Sequence, residues 1–512
     1  MVLAVLGFQM EASSQEKIQY APRLVVNITI DQLRTDYLKA FAPLYGADGF
    51  KRLLAEGLVY ENASYPFSNI DRASAISSVI TGVSPYYHSI IGERWLDKET
   101  LRPVWCTDDP KQNGLDSPNH LLVSTLGDEL KVATQGQSKI FAFAPYKDAA
   151  ILSAGHAADG VFWLDTQTGQ WKTSTFYSNT IPTWILSVNE LRSPYANIGK
   201  VIWEPVIELS GTFNYYQHVG DQKPFKHLFK GERKFIEYIS SGLVNSDITE
   251  MAQQCVTNHG VGYDRVTDLL CLTYYAGTFD HKPVSECQLE LQDTYVRLDQ
   301  ELSKLIRSLE RIVGAEHVLF VVTSTGYCDE ENTDYAQYRI PTGTFYIDRT
   351  ANLLNMYFGG IWGQGRYVEA SFKNQIFLNH KLLESKRISL TDAGQRAQEF
   401  ICQLEGVRNV YTALQLLSSN NPQVSHIRNG FSAERNGDIM IEVSPGWHIA
   451  NETTQEQQLS RASFLQFPLI LYGTGIQAEK VNTPVTIDRI APTIAKTIRI
   501  RAPNACSAEP LF

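Results

Sequence analysis

The stretch Arg23-Leu-Val-Val-Asn-Ile-Thr-Ile-Asp31 decides how the rest of this chain is read. Its β-branched and aliphatic residues make a strand run that stops on a carboxylate. A helical pattern follows over 35–54, with Gly46 and Gly49 between its halves. Strand, acid and helix in this order form the first βα unit of a doubly wound sheet, and such sheets place their sites at the carboxyl ends of their strands, where Asp31 falls. Outward from it, SNIDRASAISSVITG at 68–82 reads as a loop entering a helix, with Asp71 as its cap and small residues that allow close packing on a sheet. Further strand-like runs lie at 139–144, 269–275, 317–323 and 468–472. The clearest helix between them is 289–309, with Leu291, Tyr295, Leu298, Leu302 and Ile306 on one face. Strands alternating with helices predict an α/β fold. The texture changes over 340–443, where short strands at 343–348, 367–372, 375–378 and 438–443 surround a helix at 390–404, as expected of an inserted α+β cap. The aromatic-rich segment 163–195 predicts a second insertion over the carboxyl edge of the sheet.

The chain has 512 residues, 45 Lys and Arg against 55 Asp and Glu, and a net charge of −10. That acidic balance argues against nucleic acid or anionic membrane as a partner, because both are held by surplus cations. Eleven histidines and the many acids leave room for a metalloenzyme. The apolar run over 1–8 is too short to span a bilayer, and no other segment has the length to do so. It resembles the end of a signal peptide processed near Ala12 to Gln15, so residues 1–15 are expected to be a signal-peptide remnant or flexible leader and the protein periplasmic or otherwise exported. Seven scattered cysteines with no C-x-x-C pair disfavour a zinc ribbon, a thioredoxin-type site and a dense disulfide scaffold, while leaving one or two disulfides open.

The runs VVNITIDQLRTDYL, VITGVSPYYHSIIGERW, YKDAAILSAGHAADGVFWLD, LQDTYVRLDQEL, FLNHKLLE, SPGWH and FPLILYGTGI with TIDRIAPTIA, in this order, resemble the alkaline phosphatase superfamily. Within it they are most similar to the exported single-chain alkaline phosphatases related to type I phosphodiesterase/nucleotide pyrophosphatases. The resemblance implies an α/β/α sandwich with a mixed central sheet and an inserted α+β cap. Its parts are a core at 20–339 with an insertion at about 160–230, a cap at 340–443 and a return to the core at 444–512. It also implies hydrolysis of phosphate esters by two zinc ions and a Thr or Ser nucleophile, since paired metals stabilise the entering and leaving oxygens.

Position by position, this chain departs from that chemistry. Asp31 stands where the family has a metal-binding Asp. Counted back from Thr81-Gly82, the nucleophile position holds Arg72, whose guanidinium stays protonated and cannot attack phosphorus. The next metal pair falls on Thr278 and Lys282, with Asp280 and His281 near enough for a local shift to restore a ligand. An Asp-His pair is replaced by Ser324 and Thr325 before Gly326, and the last His by Gln466. Of the phosphate-binding positions Lys147 is kept, the Arg two residues on is Ala149, and the Asn is replaced by Glu93 or Arg94. The leading reading is therefore a pseudoenzyme with no cofactor, a binding or structural module of the cell envelope. Its partner would be an unidentified envelope protein or an anionic small molecule. Two alternatives stand beside it: a divergent phosphoric-ester hydrolase with zinc, or a metal-free phosphate or sulfate binder using Arg72 and Lys147. Arg72, helped by Lys282, is expected to salt-bridge Asp31 in place of the lost metals, or else to face solvent while Asp31 caps a helix. A backbone hydrogen bond is expected of His156, core packing of Trp163, Trp171, Trp184 and Trp203, and a turn role of His448. Sequons stand at Asn27, Asn62 and Asn451.

Overall fold

The computed structural model describes residues 21–207, 224–328, 335, 338–419, 421–459 and 465–512. The expected leader over 1–15, and part of the expected insertion, lie outside those residues. The strands of the main sheet, in chain order, are β1 (Leu24–Asp31), β2 (Leu58–Ser64), β3 (Ile140–Ala144), β4 (Gly160–Leu164), β5 (Trp171–Lys172), β6 (Asp268–Tyr275), β7 (Val318–Ser324), β8 (Phe467–Gly473), β9 (Glu479–Val481) and β10 (Val485–Thr486). In space they run β9-β2-β8-β7-β1-β6-β3-β4-β5, with β10 also on β2. β1 lies between parallel β6 and β7, whereas β8 is antiparallel to both its neighbours, so the sheet is mixed. Central position explains why β1 is buried along its whole length and reads as a nearly continuous apolar run.

Side-chain alternation along β1 divides the core into two layers. Leu24, Val26, Ile28 and Ile30 face one apolar cluster, together with helices α1 (Thr35–Ala40), α2 (Phe50–Glu56), α5 (Val244–His259) and α6 (Gln288–Val313). Val25 faces the other, packed by α3 (Arg72–Thr81), α4 (Lys147–Ala154) and α7 (Ile490–Thr497). Asp31 has the parity of Val25 and so belongs to the α3 side.

The helical pattern expected over 35–54, with Gly46 and Gly49 between its halves, is two helices with a short 3-10 turn at Ala42–Leu44 between them. Asp299, on α6, explains the break: its carboxylate accepts hydrogen bonds from the Gly46 and Phe50 amides at 2.8 and 2.7 Å. Any Cβ at Gly49 would lie 2.2 Å from that carboxylate. β4 and β5 pair into the main sheet, and we propose that the insertion begins after them.

A third apolar cluster runs from Phe345 to Ile449 beneath a sheet of four short strands, Val368–Phe372, Gln375–Leu378, Val407–Thr412 and Ile439–Val443. The strand expected over 343–348 stops at Tyr346, and a helix the sequence reading missed, Ile347–Trp362, follows at once. Trp447 and Ile449 join this cluster, and we propose that the cap includes them rather than ending at 443. His448 sits exposed in the strand Trp447–Asn451, so the expected turn role is corrected. Trp163, Trp171 and Trp203 are buried, and Trp184 packs against the first cluster. Asn27 is buried in β1. Cys106, Cys255, Cys271, Cys402 and Cys506 form no disulfide, and no helix among the described residues is long and apolar enough to cross a membrane.

Candidate functional site

Asp31 ends β1 with 1% of its surface exposed, and Arg72 opens α3 opposite it. The register that places Arg72 rests on Gly82, which closes α3 in the left-handed region at φ 69°. A Cβ there would approach Cys506 Sγ at 2.7 Å and the Asp488 carbonyl at 3.0 Å, so the position admits only glycine without rearrangement. At the other end Asp71 caps the helix, accepting from the Ser74 amide at 3.0 Å, while its second oxygen accepts from the Glu93 amide at 2.6 Å. One carboxylate thus fixes both the start of α3 and the loop that brings Glu93 beside Arg72.

The Arg72 guanidinium is the centre of a buried charged cluster. It forks onto Asp148 of α4, with Nε–Oδ2 at 2.9 Å and Nη2–Oδ1 at 3.1 Å. It also meets Glu93 at 3.1 Å and Asp31 at 3.4 Å, and lies over the Tyr146 ring with 4.0 Å to the centroid. A cation in the first turn of a helix opposes the helix dipole. Burial works against its charge as well, yet the carboxylates of Asp148, Glu93 and Asp31, with Tyr327, outweigh both and hold its pKa well above the usual arginine value. Glu93 is raised as well, which for an acid disfavours the charge. Burial, Asp148 and Asp71 push its carboxyl up to about 7 against the pull of Arg72 and Lys373. Three carboxylates share one guanidinium, and the outermost of them resists ionisation.

The remaining oxygen of Asp31 accepts from the Thr325 hydroxyl at 2.9 Å, and that hydroxyl in turn accepts from the Gln32 amide at 2.9 Å. This pair of bonds holds Gln32 at φ 64°. Ser324 donates to the Leu33 carbonyl at 2.7 Å. Ser324 and Thr325 therefore support the turn after β1. Gly326, at φ 69°, is needed because a Cβ would meet the Tyr65 ring at 2.6 Å. Thr278 buries its hydroxyl without a hydrogen bond, and Gln466 is exposed, its carbonyl accepting from the Thr35 amide at 2.9 Å.

Several expectations are corrected. Lys282 does not reach Asp31; it is exposed, with its ammonium 5.4 Å from the Phe279 ring centroid. Asp280 pairs with Arg233 at 2.6 Å, and His281 is exposed with its ring edge-on to Tyr275. Lys147 pairs with Asp116 at 2.6 Å. Arg72 and Lys147 are thus paired with different carboxylates, Asp148 and Asp116. Arg72 does not face solvent, nor does Asp31 cap a helix. His156 pairs through Nδ1 with Asp128 at 2.9 Å rather than with backbone alone; burial disfavours its charge, but Asp128 raises its pKa overall.

Sequence reasoning missed Asp148 and Tyr146 altogether, and read Glu93 only as a repulsive element. The signal available was an unmatched Asp immediately after Lys147, in the first turn of a helix. Its meaning depended on knowing that α4 lies beside α3.

The donor set does not fit a two-zinc centre. Asp31 is engaged by Arg72 and Thr325, and the other expected ligand positions carry threonine, lysine, serine and glutamine, none of them an imidazole or carboxylate. Among the described residues no group of three or more His, Cys, Asp or Glu is arranged to hold a metal ion.

A mixed ten-stranded sheet between two helical layers, with a buried charged cluster where β1 ends against the start of α3, defines an alkaline-phosphatase-like protein. The chain belongs to the type I phosphodiesterase / nucleotide pyrophosphatase family, whose model matches residues 25–463. It is similar to alkaline phosphatase PhoV of Synechococcus elongatus, 27% identical with 94% of this chain and 91% of that protein covered. It is equally similar to alkaline phosphatase PafA of Elizabethkingia meningoseptica, 27% identical with 96% and 94% covered. The crystal structure of wild-type PafA superposes with a TM-score of 0.81 at 25% identity, covering 96% of this chain and 98% of that one.

Proposed function

We propose that this protein is a pseudoenzyme: an exported alkaline-phosphatase-like fold kept as a binding or structural module of the cell envelope. The observation that carries the reading is Arg72. It stands at the nucleophile position, is buried, and is bound on three sides by Asp148, Glu93 and Asp31. A phosphoryl group would have to displace three carboxylates to reach a side chain that cannot attack it. The names of the relatives favour the second reading, a divergent phosphoric-ester hydrolase. Metal analysis of the purified protein together with a p-nitrophenyl phosphate assay separates the two. The pseudoenzyme reading expects no bound zinc and no turnover above a heat-denatured control, and expects Arg72→Thr to remain inactive because the ligand positions on other strands stay empty of donors. Stoichiometric zinc with turnover would establish the hydrolase instead.

A further inference from the structure

The side chain of Arg435 leaves the cap and ends inside the core. Its Nη1 donates to the Ser89 carbonyl at 2.6 Å and its Nη2 to the His120 carbonyl at 2.8 Å. The guanidinium also lies over the Trp95 ring, 4.3 Å from the centroid. Weaker contacts line the same seam. Lys98 Nζ donates to the Ala433 carbonyl at 2.8 Å, Asn429 Nδ2 to the Pro66 carbonyl at 2.9 Å and the Ser68 amide to the His426 carbonyl at 3.2 Å, while Leu96 of the core packs with Phe372 and Phe377 of the cap. Arg435 is buried, and burial pushes its pKa down to about 10. A guanidinium buried among neutral acceptors tolerates no second positive charge beside it. His120 is the partner that can acquire one. Its Nδ1 lies 3.4 Å from Arg435 Nη2, and its ring meets Trp95 edge-on at 5.0 Å. That nitrogen accepts a hydrogen bond only while it carries no proton. The charged groups facing His120 are Arg435 from the cap, Asp97 from the turn between the paired strands Arg94–Leu96 and Pro103–Trp105, and Asp108 and Asp109 from the loop that follows.

We propose that Arg435 and His120 form an acid-sensitive latch: the neutral imidazole lets the guanidinium hold the cap on the core, and its protonation releases the seam while core and cap each stay folded. The latch is independent of whether the chain hydrolyses phosphate esters. Its sign follows from the surroundings of the ring. Burial first and Arg435 second outweigh the three aspartates and lower the His120 pKa from 6.5 to about 4. Docking is therefore at full strength above pH 6.5 and weakens as pH falls toward 4. Two neighbours titrate as well. Glu93, which faces Lys373 of the cap, is raised to about 7 and acts in the opposite sense, and His88, also beside Arg435, is lowered to about 3. Comparison with a variant that lacks only the His120 proton cancels both.

That variant is His120→Asn, whose side-chain oxygen can accept from Arg435 Nη2 and never protonates; His120→Gln serves in its place should the first not fold. Hydrogen exchange of the full chain, followed by mass spectrometry at pH 7 and pH 5 and corrected for intrinsic rates, reads the seam at the Ser68 amide, whose acceptor is the His426 carbonyl across it. β1 and the cap strand Ile439–Val443 report whether core and cap stay folded. The ratio of Ser68 exchange in wild type to that in His120→Asn should rise as pH falls from 7 to 5, by up to about twentyfold if release returns His120 to its ordinary pKa. The ratio for the two control strands should stay level. Arg435→Gln should quicken Ser68 exchange at pH 7 without quickening the controls. A Ser68 ratio constant within about twofold, or an Arg435→Gln chain that exchanges at Ser68 as slowly as wild type, overturns the latch. An equal rise in the control strands overturns it too, since His120 would then act on the stability of the whole fold.

Discussion

At the scale of the residue, charge sets the cluster around Arg72. A guanidinium at the start of α3 needs negative neighbours, and the structure supplies Asp148 as a bidentate partner, Asp31 at 3.4 Å and Glu93 at 3.1 Å. Arg72 and Asp31 were legible in the sequence because both fall in registers pinned by glycines or by a strand end. Asp148 was not, because nothing local says that α4 packs beside α3. Glu93 yields a prediction about pH. Its carboxyl is raised to about 7, from an ordinary value near 4.5, chiefly by burial and then by Asp148 and Asp71 against Arg72. A raised acid costs stability once it ionises, so that cost is absent at low pH and grows as pH rises through the folded value. Glu93→Gln should therefore gain on wild type between pH 5 and pH 8, by about 1–2 kcal/mol once solvent screening of this partly exposed group is allowed for. Urea midpoints at the two pH values measure it, and a gap that is constant or widens toward acid would refute the assignment.

At the scale of the element, helix starts are set by side chains from elsewhere. Asp71 caps α3 in a reciprocal box with Ser74 and also holds the Glu93 amide. Asp71→Ala should cost about 1–2 kcal/mol, and hydrogen exchange should quicken at the Ser74 and Glu93 amides together, which a simple cap loss would not produce. At α2 the equivalent role is played across the fold by Asp299 on α6, whose carboxylate fills the space where Gly49 has no Cβ. The sequence reading placed Gly46 and Gly49 between the halves of the pattern over 35–54, but nothing local says that a carboxylate on α6 opens the second half. The helix Ile347–Trp362 was missed for a related reason: its strand-like entry, Gly343–Tyr346, runs into it without a turn residue.

At the scale of the molecule, the two helical layers bury groups whose titration makes stability depend on acid. His88 is fully buried between α3 and the loop at Ile90, hydrogen-bonded to Ser78 Oγ at 2.9 Å and accepting from the Ile90 amide at 3.1 Å. Burial first, and Arg435 second, lower its pKa from 6.5 to about 3. The unfolded chain takes up a proton below 6.5 that the folded one refuses, so this contribution is complete above pH 6.5 and is lost as pH falls. Glu93 and Asp247, both raised to about 7, act in the opposite sense, so the effect of His88 is isolated by difference. The stability gap between wild type and His88→Gln should shrink by about 1.4 kcal/mol per pH unit below 6.5, read from melting curves between pH 7.5 and 5. A gap that does not change with pH would show that His88 is not held neutral. By itself the sequence determined the α/β architecture and the place of Asp31 at the end of the first strand, because strand periodicity and glycine-pinned registers are local properties of the chain. Only the tertiary structure decided what Arg72 does, since its three carboxylates come from positions 31, 93 and 148, and a charge finds its partners through space rather than along the sequence.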